Sequence, residues 1–426
     1  NRHFFLGHYF RANYEKALEN LPVVASEINI TKIEVWITNK TGTTYNTRDI
    51  IAFMDLAETD RIEMSDHIYS TKQIPYNTAN NLYDEVNIAS VRNTNTAITS
   101  LIGLGYQSNM HFEKTYARKL NVSEFNYHPQ LGYISLNQRL NPDEVLAISY
   151  EYTYRGDVYR VGEFAQDIPP GSNNDGILIA KMLKSTTVNP KLMMWDLMMK
   201  NIYSLNAYQI NNKDFFLSIY YQDPGGGLKR YIPKGSINGI PLIRLLGLDK
   251  LNIQLDPVRD GLFDFVPGIT IDAKKGKLIF TKLEPFADGI RNSFKPSEAS
   301  TAEKYAYDEL YDSTWVIAEQ FPEFNRYVIK GTYISSISSE ISLNRMNVPE
   351  GSVKVTAGGR VLQEGVDYSV DYLLGRVKIL NEGIMNSGAP INVSFESSDL
   401  FGIQTKTMIG TRLDYWINDN FTLGAT

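Results

Sequence analysis

The side chains best suited to acid–base or metal chemistry near neutral pH are five histidines, His3, His8, His67, His111 and His128. His3 and His8 stand five apart, which is neither the i, i+4 pair of a helix nor the i, i+2 pair of a strand that would turn two imidazoles toward one metal. Asp256, Asp260 and Asp264 offer carboxylate oxygens of the kind calcium takes. Their spacing lacks the every-second-residue ligands of an EF-hand loop, and Arg259 sits among them as a possible ion-pair partner, so a solvated turn is the favoured reading. Gly225-Gly226-Gly227 precedes Leu228-Lys229-Arg230, but a P-loop ends Gly-Lys-Ser/Thr between a strand and a helix, and here Tyr231-Ile232-Pro233 follows. A flexible hairpin tip fits better. Asp and Glu are plentiful, yet no particular pair is marked for glycosidase-like work and no Gly-x-Ser-x-Gly elbow occurs beside a credible base. Met193, Met194, Met198 and Met199 around Trp195 could line an adaptable groove, although core packing beside a short helix is the favoured reading. The sequence therefore assigns no catalytic, cofactor-binding or metal-binding residue and predicts a protein that is not an enzyme.

The 426 residues contain no cysteine, which removes disulfides, thiolate nucleophiles and cysteine-ligated metal centres. With 42 basic and 48 acidic side chains the net charge is −6, which argues against a nucleic-acid partner held by its phosphates. Aromatic residues make up 12% of the chain and 27 of them are tyrosines, a load that suits strands and interfaces better than a helical bundle. Length alone suggests about three domains. The chain opens at Asn1 rather than methionine and stops inside the alternating stretch Phe421–Thr426, so it is expected to be a piece of something longer. No run approaches the 18 or more apolar residues of a membrane-spanning helix.

The positioning elements read as mainly β, in an α+β arrangement of several sandwich-like modules with small helical insertions. Residues 1–57 form a β-rich module with a short helix. Residues 58–120 form a polar insertion with helical spacing at Leu82, Val86 and Val91 and again from Met110 to Leu120, either helical or loop-like. Residues 121–235 form a β module with a long hairpin whose tip is Asp223–Gly227, and with short helices at Gly176–Leu183 and Lys191–Tyr203. Residues 236–345 form a second β module with a connection that is helix-compatible at Ala302–Leu310 and returns to strands at Trp315 and Tyr327. Residues 346–400 form a further sandwich-like module, and 401–426 either enter barrel strands or make a soluble hairpin.

Three glycines reveal a repeat. His-Pro-Gln-Leu-Gly132, Asp-Ala-Lys-Lys-Gly276 and Asp-Tyr-Leu-Leu-Gly375 each set a turn-capable residue (His128, Asp272, Asp371) four before a glycine that an alternating strand follows. The expected unit is a hairpin in which the Asp accepts hydrogen bonds inside the turn and glycine takes a positive φ. A further hairpin is expected around Gly358-Gly359. Val145–Glu151 and Pro390–Glu396 match downstream of the first and third copies, which makes this a duplication with insertions.

Several longer strings resemble the SprA/Sov family. They are Phe4-Phe5-Leu6-Gly7-His8-Tyr9-Phe10, Ile33-Glu34-Val35-Trp36-Ile37-Thr38-Asn39, His128-Pro129-Gln130-Leu131-Gly132-Tyr133-Ile134-Ser135-Leu136-Asn137, Trp195-Asp196-Leu197-Met198-Met199-Lys200-Asn201-Ile202-Tyr203 and Gly351-Ser352-Val353-Lys354-Val355-Thr356-Ala357-Gly358-Gly359. The resemblance implies an extramembrane part, periplasmic or on the cell surface, of the type IX secretion translocon of Bacteroidetes, a very large outer-membrane β-barrel that also supports gliding motility. The implied role is architectural: a cap, pore wall or docking surface. The implied partners are a PorV-like partner barrel, a plug protein and secreted folded cargo with a C-terminal signal. The alternative is a cell-surface adhesin or glycan-binding module.

Overall fold

The computed structural model describes residues 2–40, 42, 44–59, 73–168, 176–207, 209–213, 215–333, 340–343, 345–381, 384, 391–396, 413–418 and 421–425. The chain is mainly β, with many small antiparallel sheets and short helical insertions. It divides into two compact units, Asn1–Ser335 and Ser336–Thr426.

The first unit begins with β1 (His3–Phe5) and α1 (His8–Ala17), whose Phe10, Tyr14 and Ala17 recur at helical spacing and face the core. Two strands follow, β2 (Ile28–Thr38) and β3 (Thr47–Phe53). Three short helices, α2 (Leu82–Val86), α3 (Ala89–Arg92) and α4 (Ala97–Gly103), bury Leu82, Val86, Val91 and Leu101. Then come β4 (Phe112–Lys119), β5 (Phe125–His128), β6 (Tyr133–Leu136), β7 (Leu146–Tyr154), β8 (Asp157–Val161) and β9 (Leu178–Lys184).

Strands β2, β4, β3, β9 and β7 close into a five-stranded ring, because β7 pairs with β9 on one side and with β2 on the other. The β3–β9 pair is parallel, and β8 extends the sheet from β7. One face of the ring carries Trp36, Ile50, Ala52, Ala117, Ala147, Leu178, Ala180 and Met182, a set rich in alanine, as the narrow bore of a small barrel demands. The other face, with Val35, Ile37, Ile51, Phe53, Ile148 and Ile179, merges with α1, α2 and α4 in the largest core and is therefore the outside.

A stretch with helical spacing, read as helical or loop-like, and one read as a short helix both contain strands. Met110–Leu120 contains β4, whose inner face carries Thr115 and Ala117 beside the barrel core, so its apolar residues mimic a helical spacing. Gly176–Leu183 overlaps β9, buried on both faces, and a continuous apolar run of this length has no period that separates strand from helix.

The first unit continues with α5 (Met194–Leu197), β10 (Ile202–Ser204), β11 (Phe216–Asp223), β12 (Gly227–Lys229), α6 (Leu242–Leu245), β13 (Ile271–Asp272) and β14 (Lys277–Ile279). It ends with α7 (Asp288–Arg291), α8 (Ala299–Ala302), α9 (Glu309–Asp312), α10 (Trp315–Ala318) and β15 (Tyr327–Thr332). Lys191–Tyr203 is thus a single helical turn followed by a strand. Ala302–Leu310 is a turn between two one-turn helices, and Trp315 opens a helical turn rather than a strand.

The second unit holds β16 (Glu340–Ser342), β17 (Lys354–Ala357), β18 (Arg360–Val361), β19 (Tyr368–Asp371), β20 (Arg376–Ile379), β21 (Ile391–Ser394), β22 (Leu413–Asn418) and β23 (Phe421–Ala425). The sheets β16-β20-β19 and β18-β17-β21 share one core around Val355, Tyr368, Val377 and Ile379, a small sandwich. Strands β22 and β23 pair as a hairpin, and the expected barrel lead-in at 401–412 lies outside the described residues.

Candidate functional site

The glycine repeat is a repeat in three dimensions. In each copy the hairpin's second strand pairs with a strand from earlier in the chain: β1-β6-β5, β10-β14-β13 and β16-β20-β19. The register is the same in all three: Phe5, Ser204 and Ser342 stand opposite the residue after the glycine (Tyr133, Lys277 and Arg376). Just beyond, the N–H groups of Leu6, Leu205 and Leu343 donate to the carbonyls of Gly132, Gly276 and Gly375 at 2.9, 2.9 and 2.8 Å.

Each turn is closed in one way. The glycines have φ of 61°, 58° and 62°. Asp272 Oδ1 accepts the Lys275 N–H at 3.1 Å, Asp371 Oδ1 accepts the Leu374 N–H at 2.9 Å, and His128 Nδ1 accepts the Leu131 N–H at 3.2 Å. The histidine substitutes for aspartate because burial lowers its pKa to about 4 and leaves Nδ1 a free acceptor. Gly358 and Gly359, both at positive φ, turn β17 into β18, the two-glycine form of a tight hairpin.

The second sheet repeats as well. The second copy has β12-β11-β15 and the third has β18-β17-β21. In the first copy β2 pairs with β7, β4, β3 and β9 complete the barrel between them, and β8 extends the sheet from β7. The six-strand topology is therefore complete in the second and third copies, while the first shares the glycine-turn sheet and the β2–β7 pair. In the middle copy the sequence revealed both hairpins but not that they belong to one module. Gly225 to Gly227 is the tip of its β11–β12 hairpin, where Lys229 and Asp223 pair at 2.5 Å.

The residues considered for chemistry do not converge. His3 Nδ1 lies 2.8 Å from Ser135 Oγ, and burial, reinforced by Lys277, Lys275 and Arg2, lowers its pKa to about 3. His67 lies outside the described residues. Asp264 is buried and accepts the Lys250 and Leu251 N–H groups, while Asp249 accepts those of Asp260 and Gly261 and pairs with Arg244 at 2.9 Å. The aspartate-rich segment is thus a loop fastened to its own backbone. Among the described residues no group of three or more His, Asp or Glu could hold a metal ion. Met193, Met194 and Met199 are buried.

No protein-family model matches the chain, and no curated protein matches it.

Two clusters were not foreseen. On the outside of the barrel, Glu58 lies 2.8 Å from His8 Nδ1 and 2.6 Å from Lys181 Nζ, all three buried, and Lys181 also donates to the Met54 carbonyl. Burial raises the Glu58 pKa, but the adjoining His8 and Lys181 outweigh it and hold the carboxyl below its ordinary range. Beside α1 and α5, Arg11 pairs with Glu284 at 2.9 Å, and Lys200 donates to the Tyr311 carbonyl at 2.6 Å while lying 4.6 Å from the Trp195 ring centre. Burial raises Glu284 to about 7 and lowers Lys200 to about 8. The recess they line has a volume of about 10 Å³, room for a water molecule rather than a substrate.

Proposed function

We propose that this chain is a non-catalytic, contact-making part of the outer-membrane translocon of type IX secretion, serving as a cap, pore wall or docking surface through which folded cargo is handled. What supports the reading is the family resemblance of the long strings together with the triplicated glycine-turn sheet. Within each unit the glycine turns fasten strands together and leave the connecting loops exposed, where contacts with other proteins are commonly made. The partners in this reading are a PorV-like barrel, a plug protein and cargo with a C-terminal signal. In a bacterium carrying this chain, deletion of residues 340–396 is expected to stop export of such cargo while other outer-membrane barrels assemble normally. Undiminished export from that strain would overturn the reading.

A further inference from the structure

Helix α10 presents three consecutive large apolar side chains to solvent: Trp315 is 74% exposed, Val316 68% and Ile317 43%. Three successive residues of a helix span roughly 200° of its circumference, so a turn that exposes all three stands out from the surface. It does so on a firm mount. Ala318 is buried, its carbonyl accepts the Tyr307 hydroxyl at 2.5 Å, and the Tyr307 ring stacks on Phe324. Isolated exposed apolar residues are ordinary, but a fixed contiguous set of this size marks a contact surface.

The surrounding charge says what kind of contact. From Tyr305 to Asn325 the chain has Asp308, Glu309, Asp312, Glu319 and Glu323 and neither lysine nor arginine. Asp308 is engaged by Arg291 at 2.5 Å. Glu309, Glu319 and Glu323 gather near enough to Tyr307 that, after burial, they are what raises its pKa. The apolar turn is therefore ringed by carboxylates on the same mount that holds it.

We propose that α10 is a docking knob for a cationic, amphipathic segment of a partner protein, with Trp315, Val316 and Ile317 meeting its apolar side and Glu319 and Glu323 pairing with its lysines or arginines. Trp315 is the anchor, since a large aromatic ring at the centre of a patch carries most of a contact's affinity, while the acidic rim governs encounter and selectivity. The same rim repels an anionic membrane surface. This rests on the reading of the chain as a contact-making part and assigns that role a place.

The test titrates the full chain with a synthetic amphipathic peptide of lysine, leucine and phenylalanine, and in parallel with its glutamate counterpart and with phosphatidylglycerol and phosphatidylcholine vesicles. The lysine peptide is expected to bind and the others to fail, with Trp315→Ala weakening binding at least about tenfold. Glu319→Lys with Glu323→Lys should weaken it and flatten its salt dependence. Circular dichroism checks that both variants stay folded, which their exposed positions allow. Equal binding of the glutamate peptide, binding to either vesicle, or unchanged affinity of Trp315→Ala would overturn the proposal while leaving the translocon reading to its own export assay. Binding through Trp315 in a chain whose deletion spares export would do the reverse.

Discussion

The backbone N–H of Leu343 donates to the carbonyl of Gly375 at 2.8 Å, and two residues further on the Arg345 carbonyl lies where a side chain on Gly375 would have to go. Leu205, Gly276 and Ala207 repeat this relationship. The turn glycines are thus the points where the early strand of each module is clamped onto the hairpin. Any Cβ would collide with backbone at both places, in addition to the left-handed φ.

Gly375→Ala and Gly276→Ala should each cost more than about 3 kcal/mol, adding a steric overlap to the ~1–2 kcal/mol of a left-handed non-glycine residue. Gly359→Ala, at φ 86° with open space around it, should cost only about 1 kcal/mol. Urea unfolding with limited proteolysis checks this: Gly375→Ala should open residues 340–396 to cleavage and spare residues 2–333. Equal losses for Gly375→Ala and Gly359→Ala would contradict the clamp.

Asp272→Ala and Asp371→Ala remove one side-chain acceptor from each turn and should cost about 1 kcal/mol each, while the asparagine variants should retain most of it. Denaturation midpoints of the four variants decide the matter. An asparagine variant as weak as its alanine partner would mean that the acceptor is not what matters.

Lys181→Ala would leave the Glu58 carboxylate short of a partner in a buried site, at a cost of about 3–5 kcal/mol. The pH dependence follows from Glu58 itself. Its folded pKa is depressed, so its stabilising contribution is complete above its ordinary value of 4.5 and drains away as pH falls below that. Thermal melts of the wild type should therefore fall through this acid range. Those of Glu58→Gln should fall less steeply, and parallel curves would refute the pairing.

Asp264 has the opposite sign. Burial raises its pKa from 3.8 to about 6, so the folded state holds that proton more tightly, and its contribution to stability declines as pH rises between those values. Asp264→Asn should remove this part of the slope, as melts taken from pH 4 to 7 would reveal. A steeper decline in the variant would be inconsistent with the assignment.

The hairpins were legible because a glycine at positive φ and a side-chain acceptor four residues earlier are local chemistry. Their third strands were not: β1 pairs with β6 across more than a hundred residues, and nothing within Phe4-Phe5-Leu6 marks that partner. The barrel was hidden for a different reason. Its strands β4 and β9 lose the alternation of a half-buried strand, one because the bore takes small and polar residues and the other because both faces are covered. The knob at Trp315 was misread as a strand, since Trp-Val-Ile has β propensity; the signal that could have found it was the run of acids without a base from Asp308 to Glu323.

The central claim is that the chain works by contact within a secretion translocon. It is tested most directly by using the folded chain as bait for detergent-solubilised outer membranes from a bacterium with a type IX system, with the Gly375→Ala chain as control. The account predicts specific enrichment of a PorV-like barrel or of cargo with a C-terminal signal on the folded bait. Recovery of neither by a correctly folded chain would contradict it.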